Sequence, residues 1–136
     1  EIISFSISKR PTLEFVMNSL NNALEVVKQH GTFRTTIHSD QGWHYQHKTW
    51  VSTLKKNRII QSMSRKATCA ENASIENFFG ILKQEMYYGE KQLSYEMLKA
   101  KIEQYIHYYN NERIKLSLSG FSPVQFREQI ELSKVA

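Results

Sequence analysis

The sequence predicts an α/β layer fold, and three observations carry the prediction. Apolar residues alternate in short runs and then recur at helical spacing, in the order strand, helix, strand, helix, strand, helix, helix. Hydrophobic residues make up 40% of the 136, with only five Gly and two Pro, which excludes a disordered tail, a collagen-like chain and a low-complexity linker. No apolar run approaches the ~20 residues of a membrane span, and no signal peptide is visible.

The elements follow in order. Ile2, Ile3, Phe5 and Ile7 partly alternate, so residues 2–8 read as a strand. Pro11 suits the first turn of a helix. Leu13, Val16, Met17, Leu20, Leu24 and Val27 then keep helical spacing to about Gln29, with a stop at Gly31. Phe33, Thr35 and Ile37 alternate in a second strand that ends near His38-Ser39-Asp40. Residues 44–56 read as one helix, with Trp50, Val51 and Leu54 inward. Arg58 to Met63 is a short third strand, and residues 64–70 have no period and read as a loop. A helix is expected from about Ala70 to Tyr88 and another from the cap Ser94 to Asn110. The second carries an apolar line of Leu98, Ile102, Tyr105, Ile106 and Tyr109. Pro123 starts a last short helix through Gln129. The length favours one domain spanning 1–136.

Charge and composition narrow the function classes. The 18 Lys and Arg against 13 Asp and Glu give a net +5. That excess suits a polyanionic partner, most simply nucleic acid, although many basic domains never touch DNA. No Cys/His spacing suggests a zinc finger. The lone Cys69 excludes an internal disulfide and suits a reducing compartment. Twelve of the acids are Glu, and the only Asp is Asp40.

Asp40 follows a strand and precedes Gly42, and ligand sites in α/β folds gather at the carboxyl ends of strands. A carboxylate there suits a hard cation such as Mg²⁺, or it simply begins a turn. Glu76 shifts that balance. In the helix around it, Ile75, Phe78, Phe79, Leu82 and Met86 make an apolar stripe. At ~100° per residue, Asn72, Glu76 and Lys83 fall in a line beside that stripe. Glu76 and Lys83 stand about 10 Å apart along the axis, too far for an i,i+4 ion pair and well placed for a shared extended ligand. A solvated helix edge would look the same.

At this point the residues resemble a family. His38-Ser39-Asp40-Gln41-Gly42 with Tyr45 is similar to the segment around the second Asp of bacterial insertion-sequence transposases with a retroviral-integrase-like catalytic core. Between Asp40 and Glu76 lie 35 residues, the spacing of the superfamily's second Asp and Glu, and the step from Glu76 to Lys83 also matches. Ser64-Arg65-Lys66, Asn72-Ala73 and the run from Ile75 to Lys83 resemble the family's wording. So do Tyr108-Tyr109-Asn110-Asn111-Glu112-Arg113 and Ser122-Pro123-Val124-Gln125-Phe126. The resemblance covers essentially the whole chain and is best to the subgroup made from two overlapping reading frames. Departures stand at Ala67-Thr68, at Glu71 and at Ile114-Lys115. A larger one is that no Asp precedes Asp40. Ile2 to Ser8 resembles the third strand of the family's core, so the resemblance implies an N-terminally truncated core lacking the first two strands and the first Asp of the triad.

The resemblance implies an RNase H-like fold, a mixed sheet flanked by helices, and in-line phosphoryl transfer on DNA. Asp40 and Glu76 would be catalytic carboxylates and metal ligands, in a triad holding two Mg²⁺ or Mn²⁺ ions. Lys83, Arg65, Lys66 and Asn72 would contact DNA. The partners implied are transposon-end and target DNA and further copies of the chain, in the bacterial cytoplasm at the nucleoid. The 136 residues alone are expected to bind metal weakly, to transfer no strands, and to self-associate through an exposed sheet edge. Two other readings compete. His38, His44, His47 and Asp40 would suit a zinc hydrolase, but no metalloprotease Glu follows. A DNA-binding or oligomerisation module without catalysis fits the charge. Trp43, Trp50 and the tyrosines could stack on bases, but helical spacing assigns Trp50, Tyr105 and Tyr109 to the core.

Overall fold

A computed structural model of the chain describes residues 1–30, 34–65, 69–89 and 93–135. They fall into two compact units: Ile3–Phe79, and Glu1–Ile2 together with Gly80–Ala136.

In the unit Ile3–Phe79, helix α1 (Leu13–His30) begins after Thr12, whose Oγ1 accepts the Phe15 N–H at 3.2 Å. Pro11 therefore sits just ahead of the cap rather than in the first turn. The expected stop at Gly31 and the strand residue Phe33 lie outside the described residues. Strands β1 (Thr36–Ser39) and β2 (Ile60–Met63) pair in parallel, from Thr36 opposite Ile60 to Ser39 opposite Met63. Val16, Leu20 and Leu24 of α1 bury against Trp50, Leu54 and Ile59, with Ile37 of β1 packed alongside.

Two expectations are corrected in this unit. Residues 2–8 alternate in exposure as far as Ser6, but among the described residues they are not assigned to a strand, and the sheet is the β1–β2 pair. Strand character in a sequence reports sidedness, and a strand also needs a neighbour. The helix expected over 44–56 is two helices, α2 (Trp43–Gln46) and α3 (Lys48–Lys56). The break is His47, with φ −65° and ψ 137°, whose Nδ1 accepts the Thr49 N–H at 3.2 Å. An imidazole thus caps α3 where the apolar spacing alone continues one helix.

Helix α3 ends in a Schellman turn. The Arg58 N–H bonds Lys55 O at 3.0 Å, and the Ile59 N–H bonds Leu54 O at 2.9 Å. Buried Leu54 and Ile59 supply the apolar contact that accompanies this motif. Arg58 holds the left-handed position, φ 58°, that glycine usually fills, a conformation costing an L-residue roughly 1–2 kcal/mol.

A 3₁₀ turn (Cys69–Asn72) leads into α4 (Ala73–Leu82), and a π turn (Lys83–Tyr87) follows. The run matches the expected helix in extent. Its apolar stripe is only partly realised: Phe78 and Leu82 are buried, whereas Ile75 and Phe79 are 48% and 50% exposed.

In the second unit, α5 (Tyr95–Asn111) starts at the expected cap, Ser94 Oγ accepting the Met97 N–H at 3.3 Å. It buries Tyr105, Ile106 and Tyr109, as its spacing predicts. Helix α6 (Pro123–Val135) runs six residues past the expected end at Gln129. Fully buried Ser122 begins it with a capping box: its Oγ accepts the Gln125 N–H at 3.4 Å, and Gln125 Oε1 accepts the Ser122 N–H at 3.0 Å. Asn110 presents its carboxamide to Ile2 as a strand would, accepting the Ile2 N–H at 2.8 Å and donating to Ile2 O at 2.9 Å.

Candidate functional site

Asp40 is the first residue beyond β1, and its side chain is exposed. Its carboxylate closes a local turn by accepting the Gly42 N–H at 2.8 Å. A Cβ at position 42 would come within 2.9 Å of the same Asp40 oxygen, so glycine allows this close approach. Among the described residues the other Asp40 carboxylate oxygen accepts no hydrogen bond, and the side chain is exposed. Tyr45 packs beside the turn, and burial together with the Asp40 charge raises its phenol pKa above the ordinary tyrosine value.

Ser64 joins the Asp40 turn to the helix that carries Glu76. Its N–H bonds Ser39 O at 2.8 Å, one step past the end of the ladder. Its carbonyl accepts Gln41 Nε2 at 3.1 Å, and its Oγ accepts Asn72 Nδ2 at 3.2 Å. Ser64 is only 4% exposed, so these polar groups are exchanged with protein rather than with water. Asn72 ends the 3₁₀ turn, and Glu76 lies one turn further on, exposed, in the first turn of α4. The links Gln41–Ser64–Asn72 therefore tether the two elements that carry the carboxylates.

Arg65, expected to grip DNA, is held by Glu71. Its N–H reaches Glu71 Oε2 at 2.7 Å and its Nε reaches Oε1 at 2.8 Å. The Arg65 N–H, then the guanidinium, hold the Glu71 carboxyl below its ordinary pKa, and His38 adds its charge in the same direction. Yet 82% of the Arg65 side chain remains exposed, which leaves a positive face toward solvent. Lys66 lies outside the described residues. Lys83 is exposed and opens the π turn, in the other unit from Asp40 and Glu76.

The histidines do not converge. His38 Nδ1 bonds Ser62 Oγ across the β1–β2 pair at 2.9 Å, His44 Nε2 bonds Pro11 O at 2.7 Å, and His47 caps α3. Because His44 lies in α2 and His47 is the extended residue that breaks the chain between α2 and α3, the shared helix face that a zinc hydrolase needs does not form. Among the described residues no group of three or more His, Cys, Asp or Glu is placed to hold a metal ion. Asp40 and Glu76 offer the right donor chemistry for a hard divalent cation, exposed carboxylate oxygens, but fall short of the six to eight oxygens such an ion takes.

Gln41 and Ser64 stand within the sequence motifs and Glu71 at a departure from them, and the bonds these residues make are not visible there. The contacts that define them cross between loop and helix, and no periodicity reports those. Trp50, Tyr105 and Tyr109 are buried as expected, while Trp43 is 57% exposed and stacks on His44 at 3.8 Å.

The comparisons with known proteins converge on one family. Its sequence model, the integrase core domain, matches residues 1–69, and a second integrase core domain model matches residues 76–130. The chain is 41% identical over 135 residues to the putative transposase InsK for insertion sequence element IS150 of Escherichia coli K12, covering 99% of this chain and 47% of that protein. It is 43% identical over 129 residues to an uncharacterized transposase-like protein of Haemophilus influenzae, covering 95% and 58%. It is 34% identical over 129 residues to the transposase InsF for insertion sequence IS3fB of Escherichia coli K12, covering 94% and 44%. The chain spans about half the length of these curated relatives. With more than half of its residues under a single family model, and a strand-end Asp40 tethered to the helix of Glu76, the chain belongs to the integrase core domain family.

Proposed function

We propose that this chain belongs to the RNase H-like catalytic core of a DNA transposase. The complete protein would cleave DNA and transfer the strand by in-line phosphoryl transfer. The observation that carries the reading is the Gln41–Ser64–Asn72 tether, which ties the strand end bearing Asp40 to the helix bearing Glu76. Two carboxylates at that spacing, in a chain similar to named transposases, support a divalent-cation site rather than a simple turn and a solvated helix edge. A Mg²⁺ or Mn²⁺ ion bound there would supply positive charge to oppose the charge developing on the phosphoryl oxygens. With Asp40 the only Asp in the 136 residues, a third carboxylate would have to come from elsewhere in the complete protein.

The chain's own residues support the rest of the reading. The Gly42 N–H fixes one Asp40 oxygen and so orients the other. Lys83, a point charge, and the exposed face of the planar Arg65 guanidinium both suit phosphate. Transposon-end and target DNA, further copies of the chain, and a bacterial cytoplasmic setting complete the proposal. A plasmid cleavage and strand-transfer assay on the complete protein tests it. Asp40→Asn and Glu76→Gln should each remove activity while DNA binding remains. Wild-type rates in either variant would refute the reading.

The second reading is DNA binding without catalysis by the 136 residues alone. The shortage of donors among the described residues favours it. Both readings expect no cleavage by the isolated 136 residues; they separate on the complete protein, which the first expects to cleave DNA with Mn²⁺ and the second does not.

A further inference from the structure

A cavity of about 730 Å³ lies at the end of the β1–β2 pair opposite Asp40. Thr35 and Ile59, which lead into the two strands, line it. The rest of its lining is the basic Lys28, Arg34, Lys55 and Arg58 together with Asn57 and Val27. Lys28 pairs with Glu25 at 2.8 Å. Among the described residues no carboxylate lies in ion-pair reach of Arg34, Lys55 or Arg58.

Basic residues commonly neutralise the carbonyl ends of helices, and Lys28 and Lys55 stand in the last turns of α1 and α3. That explanation does not reach Arg34, which lies outside any helix, or Arg58, which lies beyond the α3 cap. Arg58 also stands in a left-handed position where glycine fits without strain, and there it adds a further unpaired cation to the cavity. Several cations converging on one concavity, most of them without a counter-charge, make an anion-binding surface.

We propose that this cavity is a second DNA-backbone site, gripping phosphates of the duplex at a distance from the carboxylates. The proposal rests on the DNA-directed reading above. From Thr35 to Asp40 is five residues of extended chain, about 17 Å at ~3.3 Å per residue. One DNA strand covers that distance in about five nucleotides, at ~3.4 Å each. Contacts to phosphate position a duplex and add affinity without carrying sequence information.

The test is the salt dependence of duplex binding by the 136-residue chain, read by fluorescence anisotropy between about 50 and 200 mM salt. Arg34→Gln, Lys55→Gln and Arg58→Gln together should flatten the slope of log K against log salt by about 2 to 3. Removing the same number of charges at Lys48, Lys99 and Lys101 should change it by less than one. Circular dichroism melts check that each variant folds. If the triple variant does not, Arg34→Gln and Arg58→Gln singly should each flatten the slope by about 0.9. An unchanged slope, an equal loss in the control variant, or no duplex binding by the unaltered chain would overturn the proposal. None of those results bears on whether Asp40→Asn abolishes cleavage by the complete protein, so the two readings fail separately.

Discussion

Asp40 and Gly42 form the tightest coupling of sequence to chemistry in the chain. The Gly42 N–H donates to Asp40 Oδ1, and the absence of a Cβ leaves that oxygen room. Because the conflict of a new Cβ would be with a flexible side chain, Gly42→Ala should turn the Asp40 carboxylate away rather than disturb the fold. We expect a loss of about 1 kcal/mol in stability by urea denaturation, in line with one hydrogen bond, and at least a severalfold loss of divalent-cation binding. A variant that binds Mn²⁺ as well as the parent would show that the turn does not orient Asp40. The position of Asp40 was legible because strand alternation stops there and Gly42 follows. The role of Ser64 was not, because its three partners are Ser39, Gln41 and Asn72, drawn from separate parts of the chain.

At the scale of elements, the helices were legible and their ends were not. Helix α5 keeps an uninterrupted apolar line after a serine cap, and both survive in the structure. The break between α2 and α3 was hidden because Trp43, Trp50, Val51 and Leu54 suit one helix as well as two, and a histidine cap leaves no sequence signal. The end of α3 was hidden because arginine occupies the glycine position of its Schellman turn. That position yields a prediction: Arg58→Gly should raise stability by roughly 0.5 kcal/mol, the relief of left-handed strain outweighing the added unfolded-chain entropy. A fall of the melting temperature would contradict it.

The second unit is pinned by Glu85, which accepts Arg113 Nε at 2.8 Å and the Tyr105 hydroxyl at 2.8 Å. The guanidinium, then the phenol, hold its carboxyl below the ordinary value against the opposing effect of burial. Burial, then the Glu85 hydrogen bond, raises Tyr105 above its ordinary value, and the Glu85 hydrogen bond raises Arg113 above its own, so both stay protonated and keep donating. A depressed carboxyl pKa contributes stability that is present above the unfolded value, ~4.3, and is lost as pH falls through the lower folded value. Stability should therefore decline below about pH 4, and Glu85→Gln should make that decline shallower. At neutral pH the same variant should cost about 1 kcal/mol, discounted because both partners are partly exposed. An unchanged acid profile by urea denaturation would remove Glu85 from this role. The motif Tyr108 to Arg113, read from sequence as family wording, is thus explained in part: Tyr109 packs, Asn110 holds Ile2, and Arg113 holds Glu85.

At the scale of the whole molecule, the net +5 charge and the lone Asp of the sequence gain locations. Part of the charge lines the cavity behind β1 and β2, and the single Asp stands at the opposite end of those strands. Residues 2–8 place Ile3 and Phe5 in solvent, 48% and 39% exposed, and exposed apolar side chains favour association between copies. Light scattering should find the 136-residue chain self-associating at high concentration, and a clean monomer there would count against it.

The central claim is that Asp40 and Glu76 serve one divalent cation, and titration of the 136-residue chain with Mn²⁺ tests it most directly. Followed by paramagnetic broadening of backbone amide signals, binding should be weak, on the order of millimolar. The broadening should centre on Asp40, Ser64 and the first turn of α4, and it should vanish in both Asp40→Asn and Glu76→Gln. Broadening centred elsewhere, or surviving in either variant, would contradict the account.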